Sequence, residues 1–163
     1  MTLNFMQKFP DGTDTFFKEK IWAGLLSNPQ YKDHIESEFW EEFEYVRTAR
    51  RIATNPKLHT FRRGNRWQQG KKIHFKVWSG TPYKSKTINF APRINCTGQQ
   101  KIFIQSPTLC LKSRIFIDGK QLGDDKINQL AINDGFNDEK HMFTYFKEHF
   151  EGQIVHWTSI RYQ

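Results

Sequence analysis

Cysteine is scarce in this chain: Cys96 and Cys110 are the only two, with no CxxC pairing. That number is too small for a disulfide framework or a four-thiolate metal site, and the expected state is a buried free thiol. Long apolar runs are missing too. No stretch approaches the ~18 consecutive apolar residues of a membrane span, and MTLNFMQKFPDG lacks the apolar core of a signal peptide. The expectation is a cytoplasmic protein with no membrane partner. There is no GxxxxGK[ST] loop, no GxGxxG loop after a strand and no GxSxG elbow. Nucleotide hydrolysis by a P-loop, dinucleotide redox chemistry and esterase chemistry therefore lack their motifs, and no cofactor is implied.

The most informative absence is of acid. Between Glu44 and Asp118 there is neither Asp nor Glu. Residues 1–44 carry four Lys or Arg against nine acids, residues 45–117 sixteen against none, and residues 118–163 five against eight, so a net +8 conceals blocks of −5, +16 and −3. Uncompensated cations on that scale raise a positive potential that draws in phosphates. Trp67, His74, Trp78 and Tyr83 are interleaved with them and offer faces on which bases can stack. An RNA or a nucleotide-containing ligand is the partner this pattern predicts. The blander readings are a solvated basic face, or an adaptor that binds another protein through its aromatics.

What is present in quantity is aromatic. Fifteen Phe and five Trp in 163 residues allow one domain to fill a sizeable core, burying roughly 70% of the surface of its unfolded chain. The opening LNFMQKF reads as an edge strand ending at Pro10-Asp11-Gly12. Phe17, Ile21, Leu25 and Leu26 mark the buried face of a helix begun behind Thr13 or Thr15 and stopped by Ser27-Asn28-Pro29. Ile35, Phe39, Phe43 and Val46 predict a second, amphipathic helix over about 31–51, with Arg47, Arg50 and Arg51 at its far end. From Lys57 the pattern turns to short β-like runs: KLHTFRR, KKIHFKVW, KTINFAPRINC, QKIFIQS, SRIFI and GQIVHWTSIRY. Before the last run, one helix is predicted from Asp124 or Asp125 through Ile127, Leu130 and Ala131 to a Gly135 stop. Another is capped by Asn137 and carries Met142, Phe143, Phe146 and Phe150. The fold class is α+β: about six strands suggesting a mixed β-barrel, flanked by about four helices.

IWAGL at 21–25, KLHTFRRG at 57–64 with its Lys-x-x-Thr-x-Arg pattern, the W-x-x-G-K turn at 67–71, LAINDGF at 130–136 and HWTSIRY at 156–162 occur in an order that resembles an ASCH domain. The resemblance runs from Phe5 to Tyr162 and implies a PUA-like barrel, one domain over 1–163, binding RNA or modified nucleosides in a cleft. It departs from the family in a helical insertion at about 29–55. Carried across, the acetylcytidine amidohydrolase branch implies Lys57 as general base, Thr60 as nucleophile and Asp134, in place of a glutamate, as proton shuttle. Another member of the family is described as a ribonuclease, which is the alternative activity the resemblance implies. Arg62, Arg63, Arg66, Trp67, Lys71, Lys72, Trp78 and Tyr83 are the expected ligand-binding residues. In a regular strand Lys57 and Thr60 would face opposite ways, but Pro56 places Lys57 at the strand mouth, where alternation does not bind it. His59 with His74, and His141 with His149, have no acid or thiol at ligand spacing, so no metal is expected.

Overall fold

Alternation at 72–78 puts Ile73, Phe75 and Val77 on one side of the backbone, and it is this strand on which the N-terminal part of the molecule is organised. The computed structural model describes residues 1–31, 55–107 and 112–163. In chain order these hold β1 (Thr2–Phe5), α1 (Phe17–Leu26), β2 (His59–Arg63), β3 (Lys72–Trp78), β4 (Thr87–Asn89), β5 (Ile94–Asn95), β6 (Gly98–Gln105), β7 (Arg114–Ile117), β8 (Lys120–Gln121), α2 (Asp124–Asn133), α3 (Glu139–Tyr145) and β9 (Phe150–His156). The chain is thus α+β. It divides into two units of interleaved segments: Met1–Leu58 with Lys72–Ile94, and His59–Lys71 with Asn95–Gln163. The expected helix at 31–51, most of the insertion at 29–55 and Cys110 lie outside the described residues.

In the first unit β1 runs parallel to β3 and β4 antiparallel to it, with β5 also pairing β3. Among the described residues β1 is an outer strand, as expected, but it ends at Phe5 rather than at Pro10-Asp11-Gly12. Its Phe5 ring lies 6.2 Å from Phe75 and 6.1 Å from both Phe17 and Phe90. The helical stripe Phe17, Ile21, Leu25 and Leu26 is buried as expected, together with Trp22, whose indole N–H donates to the Phe90 carbonyl at 2.8 Å. Thr15 Oγ1 accepts the Phe17 N–H at 3.3 Å, and the helix closes at Ser27, whose N–H reaches Ala23 O at 3.1 Å.

The second unit is an antiparallel sheet in the order β2-β9-β6-β7-β8. Phe61, Ile102, Ile104, Ile115, Ile117 and Ile154 are buried, as are Ile127, Leu130 and Ala131 of α2 and Met142 of α3. Three boundaries differ from expectation. Gly123 is the N-cap of α2, leaving Asp124 and Asp125 in the first turn, where carboxylates suit the helix dipole. Asp138, not Asn137, caps α3 by accepting the His141 N–H at 2.7 Å. Phe150 opens β9 and is not part of the helix. As expected, Gly135 stops α2 with φ +94°: its N–H donates to Ile132 O and that of Phe136 to Ala131 O, the paired bonds of a left-handed helix stop. The described residues hold nine strands rather than about six. KTINFAPRINC divides into β4 and β5, β1 adds one, and Asp118-Gly119, at φ +51° and +82°, turns β7 tightly back into β8.

Candidate nucleic-acid interface

Because β3 buries Ile73, Phe75 and Val77, its alternation leaves Lys72, His74, Lys76 and Trp78 on the other face, less buried. The N-terminal ammonium joins them by donating to the Lys72 carbonyl. Burial pushes the His74 pKa down, and the charges of Arg93, the N-terminus, Lys76 and Lys72 push it further the same way. Among the described residues, the charges that lower the His74 pKa are all positive. Beyond Trp78 the chain turns through a tip in which Ser85 Oγ donates to Thr81 O at 2.9 Å and accepts the Gly80 N–H at 3.0 Å. Tyr83 stands on this tip in the left-handed region at φ +64°, which is uncommon for a bulky residue. It is 90% exposed, with its ring 5.2 Å from that of Trp78. Lys84 is exposed beside it.

Lys57 belongs to the same unit. It lies outside β2, as Pro56 predicted, and its N–H donates to Lys20 O at 2.9 Å. It is only 1% exposed. Its Nζ rests 4.7 Å from the centre of the Phe17 ring and 6.0 Å from that of Phe5, so aromatic faces cradle the ammonium.

In the second unit, Thr60 and Arg62 share one face of β2, while His59 and Phe61 point to the other. Arg62 is half-buried and Thr60 buried. Asp134, the C-cap of α2, accepts the Phe61 N–H at 3.0 Å and lies 3.4 Å from His59 Nδ1. Arg63 is exposed, its guanidinium 5.1 Å from the centre of the Phe150 ring. Arg66 is exposed, and Lys71 Nζ donates to its carbonyl at 3.2 Å. Trp67 requires a correction. It is 1% exposed, because Gln153 accepts its N–H at 3.0 Å and donates to its carbonyl at 3.2 Å, and so it offers no face to a base.

Sequence reasoning missed a buried polar cluster around Tyr162. The Tyr162 hydroxyl lies 2.7 Å from His59 Nε2 and accepts from Asn133 Nδ2 at 2.8 Å. The Gln100 amide accepts the Tyr162 N–H at 2.9 Å and donates to its carbonyl at 2.7 Å. Burial raises the Tyr162 pKa, and the Asp134 charge adds to that, against a lowering by the Asn133 hydrogen bond. His156 sits 5.4 Å from the His59 ring, and neither of its ring nitrogens has a hydrogen-bond partner among the described residues. Its pKa is pushed down to about 2 by burial first, then by His59 and Arg161. These groups are buried, and hydrogen bonds join Tyr162 to His59, Asn133 and Gln100. They tie the C-terminal segment to β2, β6 and the end of α2.

Among the described residues no group of three His, Cys, Asp or Glu side chains is placed to hold a metal ion, and no helix is long and apolar enough to cross a membrane. Comparison with protein-family models, with curated proteins and with solved structures yields no match to this chain.

Proposed function

We propose that the chain is an RNA- or nucleotide-binding domain of ASCH type, with the PUA-like barrel which that family implies, acting in the cytoplasm through its basic segment. The observation that carries this reading is the β3 surface: Lys72, His74 and Lys76 share one face of the strand, positive charges of the described residues lower the His74 pKa, and the strand leads to the Trp78–Tyr83 pair. Phosphates neutralise such a stripe and unpaired bases stack at its tip. Lys57, Thr60, Arg62 and Asp134 are the residues that the resemblance assigns to the ligand cleft. Binding is favoured over hydrolysis because Asp134 Oδ1 already accepts the Phe61 N–H and Lys57 Nζ rests on phenylalanine faces.

The test is a salt titration of binding to a short labelled single-stranded RNA, with the same tubes analysed for cleaved or deacetylated product. Affinity falls linearly on a log–log plot, and Lys72→Ala or Lys76→Ala each flattens the slope by roughly 0.7. Tyr83→Ala weakens binding with the slope unchanged. Absence of binding at low salt overturns the polynucleotide reading, and turnover that vanishes with Thr60→Ala would replace binding with the hydrolase alternative.

A further inference from the structure

The solvent face of the second unit carries a site that neither the basic stripe nor the resemblance indicates. Strand register lines up Glu151 of β9, Phe103 of β6 and Phe116 of β7 as direct neighbours across the sheet. Phe103 is 36% exposed although it is a large apolar side chain in the middle of a strand. Its ring lies 6.1 Å from that of Phe116 and 5.8 Å from that of His149, which groups three π-systems. Phe103 and Phe116 line an open cavity of about 940 Å³ whose wall also includes Lys101, Arg63 and Glu151. Among the described residues, neither Lys101 nor Arg63 forms an ion pair, and Glu151 has no partner cation.

This combination selects its occupant by chemistry. An aromatic group on an open sheet stacks unpaired bases whatever their sequence, and uncompensated cations beside it take the phosphates between them. A single carboxylate level with the rings accepts from the exocyclic amino group of cytosine or adenine, which a phosphate-only surface has no use for. We infer that Phe103, Phe116 and His149, with Lys101 and Arg63, form a base-stacking platform for single-stranded RNA on the β9-β6-β7 surface, with Glu151 reading amino-bearing bases. Apart from Arg63, it shares no residue with the interface proposed above and stands independently of it.

The experiment is fluorescence anisotropy with a labelled single-stranded RNA of about eight nucleotides, free or annealed to its complement. Phe103→Leu keeps apolar bulk and removes the π-face, so folding persists while single-strand affinity falls roughly ten-fold; Phe103→Tyr restores it to within about two-fold. Binding of the duplex, whose base faces are hidden, does not change. Glu151→Gln lowers affinity for oligocytidine more than for oligouridine. Lys76→Ala and Tyr83→Ala are measured in parallel. If they weaken the single strand while Phe103→Leu does not, the platform is overturned and the β3 interface stands. If Phe103→Leu alone weakens it, the platform stands without that interface. A wild type that binds no single strand, or a dimer in sedimentation that Phe103→Leu disperses, also overturns the platform.

Discussion

The two units fill their interiors in opposite ways. The first is built on rings: Phe5, Phe9, Phe17, Phe75 and Phe90 meet at centroid distances of 5.6 to 6.2 Å around Ile21 and Leu25. The second sets isoleucines beside His59, Gln100, Asn133, Asp134, Gln153 and His156, all buried. A ring core is held by shape and apolar area. A mixed core is held by partners, and each group that loses its partner bears the full cost of desolvation.

The largest expected effect therefore lies in the first unit, where Leu25→Ala opens a cavity and costs roughly 2–5 kcal/mol in urea unfolding. Tyr162→Phe comes next. It leaves His59 and Asn133 facing a bare ring and costs roughly 1–3 kcal/mol by the same measurement. A smaller loss at each step comes from His156, whose folded pKa of about 2 lies below the ordinary 6.5. Between those values the unfolded chain binds the proton and the folded one does not. Stability is complete above pH 6.5 and falls by roughly 1 kcal/mol per pH unit as pH drops through that window. His156→Phe flattens this part of the profile, and an unchanged profile would remove His156 as the pH-sensitive group of the mixed core. Smallest of all is the exposed Lys8–Asp14 pair at 2.8 Å: Asp14→Asn changes stability by no more than about 0.5 kcal/mol, and salt erases the difference.

The same contrast explains what could be read without coordinates. Phe17, Ile21, Leu25 and Leu26 reveal α1 because one helix face is a matter of spacing alone. Alternation in KKIHFKVW reveals both faces of β3 in the same manner. The Asp118-Gly119 turn carried a local signal too, an Asp-Gly pair between apolar runs, although it was not singled out. The Tyr162 cluster had none. His59, Gln100, Asn133 and His156 meet through strand register and the end of α2, and nothing in the spacing of residues 103 apart couples His59 to Tyr162. Trp67 misled for the same reason: among Arg66, Lys71 and Lys72 it reads as a stacking surface, and only Gln153, 86 residues away, draws it inward. Phe103 lies in the alternating run QKIFIQS on the face opposite Ile102 and Ile104, and spacing alone does not say which face the fold covers.

The bond from the Phe61 N–H to Asp134 has a consequence for handling the protein. Among the described residues β2 is the last strand of its sheet, and its Phe61 N–H is taken by Asp134. An open strand edge is a template for another chain, and proteins that keep theirs soluble blunt it with charge. Asp134 supplies that charge and occupies the donor an intruding strand would need. Replacing it with alanine would uncover the template, so a preparation of Asp134→Ala that loses binding should first be checked for aggregates by light scattering.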